Sequence, residues 1–130
     1  MDGYDNTPTV VVVLVLVRGG LLMIRCGLAE GHGELALPGG YQMRGETWQE
    51  AGAREVFEET GVRVEPEHLR ALSIVTTLDR QQNLLFSQTP PVEHSGAFTH
   101  DGEVLEVIVV REPVRTAFPL HNEMVARFSS

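Results

Sequence analysis

The sequence predicts an α+β fold, an α/β/α sandwich with a mixed β-sheet between helices. Three observations lead there. Residues 10–17 form a β-branched apolar run that reads as a buried strand. Residues 48–60 carry helix signals at both ends. The order of elements is strands, helix, strands, helix, with hairpins, which does not suit a doubly wound parallel sheet.

The elements follow in order. Residues 1–8 are a polar lead-in, and 10–17 is the first strand. Arg18-Gly19-Gly20 is a tight turn, because paired glycines accept positive φ, so 21–26 should return as the second arm of a hairpin. Residues 27–34 are a loop with three glycines, and the short apolar stretch 35–37 is broken by Pro38-Gly39-Gly40. Thr47 caps the main helix, with Glu50 in place for a reciprocal capping box and Gly61 placed to end it. Residues 69–78, 83–87 and 104–110 read as strands. Between the last two, 89–102 is a long loop holding Pro90, Pro91 and Gly96, expected to shape a pocket. A final helix spans 120–128, entered through Pro119. The expectation is one domain over 1–130.

Composition narrows the function. At 42% hydrophobic and 22% charged residues, the chain is globular rather than disordered. Its longest apolar run is far too short to span a membrane, and Asp2 and Asp5 precede it where a signal peptide carries positive charge. A single cysteine, Cys26, permits no internal disulfide and suits a reducing, cytoplasmic setting. It reads as a packing residue. The net charge of −8 argues against a general nucleic-acid binder, but not against a small phosphorylated substrate met by cations and a few arginines. All ten basic residues are arginine, which reads as a composition bias.

The chemistry is concentrated in GGYQMRGETWQEAGAREVFEETGV, residues 39–62. Glu55, Glu58 and Glu59 are spaced by three and four, so a helix sets all three carboxylates on one face. Like charges at that spacing repel, and hard divalent cations are their natural counter-charge. An acidic face alone is usually solvated surface, and Glu50 with Arg54 would make an ordinary surface pair.

The full pattern outweighs that explanation. It resembles the Nudix box, G-x5-E-x7-R-E-U-x-E-E-x-G-U, with U a bulky aliphatic residue. Gly40, Glu46, Arg54, Glu55, Val56, Glu58, Glu59, Gly61 and Val62 agree at every position. At roughly 6% usage per required residue, chance agreement is on the order of one in ten million. The stretches 35–40 and 103–110 resemble the family more loosely.

The resemblance implies a Nudix-type sandwich and a hydrolase that cleaves a nucleoside diphosphate linkage by water attack on phosphorus. It implies Mg2+, with Mn2+ as a substitute, held by Glu55, Glu58 and Glu59, with the Gly39 carbonyl completing the site. Arg54 would hold the glutamates through its guanidinium fork, and Glu46 would bind metal through water or orient other groups. Gly40 would permit a close turn and Gly61 would end the helix. Glu103 is the candidate carboxylate from a distant loop, with Asp101 and Glu106 behind it. The general base stays open among Glu55, Glu58, Glu59 and Glu103.

Substrate contacts are expected from Arg25, facing a phosphate, and Tyr41, stacking on a base or sugar. Phe86, Phe98 and Phe118 are lesser stacking candidates, more often core. Trp48 is expected to pack, and none of the five histidines has zinc-site spacing. A proline downstream of the box marks many ADP-ribose hydrolases, and Thr77 stands in its place. A nucleoside triphosphate is therefore the first expected substrate, with ADP-ribose or a nucleotide sugar next. Nucleic-acid polymers and membranes are not expected partners, and a homodimer is an open arrangement. An inactive nucleotide-binding or regulatory module is the alternative, disfavoured because all four box glutamates are kept.

Overall fold

The computed structural model describes residues 6–112 and 119–129. The valine run splits at Val15 into β1 (Thr9–Leu14) and β2 (Leu16–Val17). Its odd-numbered residues, Val11 to Val17, join a buried cluster with Ala51, Val56, Val62 and Leu85. Val12 and Leu14 join a second cluster with Met23, Leu37, Phe86 and Val125. A strand buried on both faces needs no polar alternation, which is why this stretch reads as unbroken valine and leucine.

The α+β class with mixed sheet holds, and the strands fall into two four-stranded sheets. The first runs β5 (Gly39–Tyr41), β1, β7 (Asn83–Gln88), β6 (Arg70–Thr76). It is mixed, because β1 is antiparallel to β5 and parallel to β7, while β6 is antiparallel to β7. The second is built around β3 (Gly20–Cys26). Along one edge of β3 lies β8 (Val104–Val110), and along the other lie β2 and β4 (Leu35–Ala36). The chain changes sheets at Val15, so the expected hairpin is made only by β2 and β3. Hydropathy carries no mark of the change, since both halves are buried.

Helix α1 (Trp48–Thr60) has the expected limits. Thr47 Oγ1 accepts from Glu50 N (3.1 Å) and Glu50 Oε1 accepts from Thr47 N (2.8 Å). Gly61 closes the helix at φ 79°, a left-handed conformation that favours glycine. The second helix, α2 (Pro119–Ser129), starts one residue earlier and ends one later than expected. α1 contributes Ala51 and Val56 to the first cluster and α2 contributes Met124 and Val125 to the second, so the helices lie on opposite faces of β1. Among the described residues, no helix is long and apolar enough to cross a membrane.

Three local expectations change. The turn before β3 takes its positive φ at Arg18 and Gly19, and Gly20 is already strand. Residues 39–41 pair with β1 instead of only breaking the chain, and glycine permits the approach, since a Cβ at Gly39 would collide with the Val11 carbonyl. β6 stops at Thr76, and residues 77–82 form a hairpin tip closed by Thr77 N donating to the Gln82 carbonyl (2.9 Å). Leu78, expected in a strand, is fully exposed there.

Candidate active site

Burial and Arg54 sort the carboxylates of α1. The Arg54 guanidinium grips Glu46 with two bonds, Nε to Oε2 (3.1 Å) and Nη2 to Oε1 (2.6 Å). Its Nη1 reaches Glu55 Oε1 (2.8 Å) and Glu58 Oε1 (3.2 Å). One planar fork thus ties three glutamates, a task that suits arginine and not lysine. Bonding to Arg54, then to the Met43 amide, holds the Glu46 carboxyl below its ordinary range, and Glu46 in turn raises the arginine. Burial pushes Glu55 up, with Arg54 opposing and Glu58 and Glu103 adding to the rise.

Glu59 differs from these three. It is only 5% exposed, and the Gly39 amide donates to its Oε1 at 2.9 Å. Burial raises its pKa to about 8; the Gly39 bond opposes the rise, and the charges of Glu55, Asp101 and Glu103 reinforce it.

β5 is the counterpart of this face, and each of its residues meets a different charged group. Gly39 donates to Glu59. Gly40 lies against Glu55, so closely that a Cβ would stand 2.5 and 2.6 Å from its two carboxylate oxygens. The Tyr41 carbonyl accepts from Arg54 Nη2 (3.0 Å). The two glycines are therefore needed for close approach, to Val11 on one side and Glu55 on the other.

Glu59 opens onto a cavity of about 730 Å³. Its walls are mainly apolar, with Val10, Ile24, Leu28, Val75 and Leu84 among them, and Glu59 and Glu103 supply acid. Tyr41 lines it too, with Gln82 Nε2 donating to the Tyr41 hydroxyl at 2.6 Å. An apolar chamber with a few convergent polar groups is the usual form of a small-molecule site.

The expected residues fall as follows. Glu103 lines the cavity and acts electrostatically on Glu55 and Glu59. Asp101 acts on Glu59 and caps the Glu103 amide (3.0 Å). Glu106 instead pairs with Arg25 at 3.0 Å. Arg25, expected at a phosphate, is not among the residues lining the cavity. Ile24 and Cys26 line it, while Arg25 is held by Glu106 and its Nη1 donates to the Gly33 carbonyl (2.8 Å). Cys26 is buried as expected and also lines the cavity, its thiol pushed up by burial and then by Glu59 and Glu34. Phe86 is core, Phe98 packs against the first cluster and stacks on His94, and Trp48 packs. Phe118 lies outside the described residues.

The loop 89–102 contributes no lining residue to this cavity. It packs on the body of the protein through Val92 and Phe98. Its place on the rim is taken by the tip at 77–82, with Thr77, Leu78, Asp79 and Gln82. Gln82 and the buried His121 are cavity residues the sequence reading missed. Strand parity could have placed Leu84 and Val10, but nothing local marks His121.

Among the described residues, no three carboxylate, imidazole or thiol groups converge as a ready-made chelate. The donor chemistry nevertheless fits a hard divalent cation. The groups are oxygen donors, and Glu59 is a buried carboxylate crowded by three others, a charge that a proton or a cation relieves.

The fold and this acidic groove beside an apolar chamber define a class of protein. Residues 5–128 match the family profile described as NUDIX domain. The chain belongs to this family, the Nudix hydrolases, as the box residues implied. Among solved structures it resembles a MutT/nudix family protein from Enterococcus faecalis, at 21% identity and TM-score 0.72, over 84% of this chain and 45% of that one. A NUDIX hydrolase from Nitrosomonas europaea matches at 20% identity and TM-score 0.76, over 98% and 72%. A bifunctional NMN adenylyltransferase/ADP ribose pyrophosphatase from Francisella tularensis, complexed with AMP and a manganese ion, matches at 22% and TM-score 0.69, over 82% and 34%. The chain thus spans less than half of the Enterococcus and Francisella proteins. At these identities the likeness establishes the fold.

Proposed function

We propose that this chain cleaves the diphosphate linkage of a small nucleotide by water attack on phosphorus, using Mg2+ with Mn2+ as a substitute. A nucleoside triphosphate is the first choice of substrate, with ADP-ribose or a nucleotide sugar next. The observation that carries this is Glu59: a buried carboxylate outside the grip of Arg54, crowded by acids, at the edge of a chamber of about 730 Å³. The Francisella protein, with AMP and manganese bound, supports a nucleotide and a divalent cation here too.

In this reading Glu55, Glu58, Glu59 and the Gly39 carbonyl hold the cation. When bound, it supplies neutralisation of phosphate charge and polarises the attacking water. Arg54 holds Glu55 and Glu58 in place from behind, anchored on Glu46. A carboxylate accepts the proton of the attacking water; Glu103, at the cavity wall, joins the box glutamates as a candidate for that role. Tyr41 offers a ring for stacking, with its hydroxyl steadied by Gln82. The reading takes 1–130 as one domain, cytoplasmic, acting on small molecules rather than polymers or membranes. A homodimer is the assembly to test by sedimentation.

The test is Mg2+-dependent turnover on a panel of nucleoside triphosphates, ADP-ribose, nucleotide sugars and capped RNA, with product coupled to a phosphatase. Turnover of a small nucleotide is expected. No turnover with either metal, or a clear preference for capped RNA, would overturn the proposal.

A further inference from the structure

Three consecutive residues ahead of the acidic groove have backbone groups fixed in three directions. The Leu37 amide donates to His121 Nδ1 on α2 (3.3 Å). The Pro38 carbonyl accepts from Val13 N on β1 (3.0 Å). The Gly39 amide donates to Glu59 Oε1 on α1 (2.9 Å). Pro38 has no amide hydrogen to place. Both donors of the segment are thus taken by long-range side chains, one from each helix layer.

His121 is a buried residue, 7% exposed, that also lines the cavity. The Phe86 ring meets it edge-on, with centroids 5.8 Å apart at 81°. Because Nδ1 accepts a hydrogen bond, the neutral ring carries its proton on Nε2.

We propose that His121 is a positioning residue for the hydrolytic site: by accepting the Leu37 amide it fixes the path of residues 37–39 and thereby aims the Gly39 amide at Glu59. The geometry requires it to act at a distance. A buried amide must be paired, and without the imidazole the Leu37 N–H finds a new acceptor only if the segment moves. β5 begins two residues later, so any displacement at Leu37 is delivered directly to Gly39. A histidine that only filled space would be replaceable by an apolar residue of similar size.

The effect on metal binding rests on the reading of Glu59 as a cation ligand; the effect on the Gly39 amide does not. The test compares wild type, His121→Leu, which keeps bulk and loses the acceptor, and His121→Asn, whose Oδ1 stands close to the position of Nδ1. The readouts are the amide resonances of Leu37 and Gly39, the Mg2+ dissociation constant by titration calorimetry, and kcat against KM for the best nucleotide. In His121→Leu the Gly39 amide should shift, Mg2+ affinity and kcat should fall roughly tenfold or more, and KM should change little. His121→Asn should recover most of each. A Gly39 resonance unmoved in His121→Leu, or an asparagine variant as impaired as the leucine one, would overturn the proposal. If His121→Leu does not fold, the asparagine variant decides alone: native-like values uphold the acceptor role, and a displaced Gly39 amide sinks it. Loss of Mg2+ binding in the wild type itself would count against the metal reading while the amide resonances still judged His121.

Discussion

Replacing Glu59 by glutamine separates the two consequences of burying its carboxylate. Glutamine keeps the size and an Oε1 that can still accept the Gly39 amide, and it removes the charge. In the metal-free protein the acid titrates near 8 instead of its ordinary 4.5. The folded state therefore holds a proton that the unfolded chain releases between these values. This contribution to stability is fully present below pH ~4.5 and is lost as pH rises through ~8. At pH ~7 the shift corresponds to about 3 kcal/mol, and relaxation of the site reduces that to ~1–3 kcal/mol. Without metal, Glu59→Gln should thus melt higher than wild type near pH ~8, by roughly 4–12 °C, with a much smaller difference near pH ~5. Adding Mg2+ should reverse the order, because a cation that binds only the folded state stabilises the wild type and has lost an anionic ligand in the variant. Turnover should fall roughly a hundredfold or more. The assay is a set of melting curves in chelator and in Mg2+ at the two pH values, with kcat alongside. A melting difference independent of pH, or equal stabilisation of both proteins by Mg2+, would refute the reasoning.

Other consequences are open to direct measurement. Glu58→Gln should also cripple turnover and Mg2+ affinity without unfolding the protein, whereas Glu50→Gln keeps an Oε1 that can accept the Thr47 amide and should change stability by only a few tenths of a kcal/mol and keep its kcat; near-normal turnover in Glu58→Gln would sink the metal role. Gly40→Ala places a methyl group against the Glu55 carboxylate, so kcat should fall roughly tenfold or more while the fold persists, and an unchanged kcat would show that Glu55 need not sit there. Burial lowers His121 to about 4, so its contribution to stability is complete above pH ~6.5 and is lost as pH falls towards ~4, by about 3 kcal/mol. Urea midpoints across that range should decline less in His121→Asn than in wild type, and parallel declines would contradict the assignment.

What could be read from the sequence is what local chemistry writes there. Thr47, Glu50 and Gly61 mark the ends of α1 by bonds that close within a few residues, so its limits were legible to the residue. The carboxylates were legible because helical spacing alone puts them on one face. The change of sheet at Val15 was not, since apolar residues buried on both sides look alike on either side of a break. Nor was the rim of the cavity, because the tip at 77–82 reaches it only through the pairing of β6 with β7 and of β7 with β1. Nor was the place of Arg25, whose partner Glu106 lies 81 positions away in the chain. His121 is the least legible of all, joined to Leu37 across 84 positions of chain.

The valine run has one more consequence. Its odd-numbered residues belong to one apolar cluster and Val12 and Leu14 to the other, so the two share a single backbone. Loosening one cluster withdraws the strand that seals its neighbour, so the two are expected to melt together. The amides of β1 should therefore exchange with solvent only when the whole protein opens, while those of the tip at 77–82 exchange through small local fluctuations. A rigid spine with a pliable lip is an arrangement in which the rim of the chamber can change in length or composition over evolutionary time while the acidic groove behind it stays fixed.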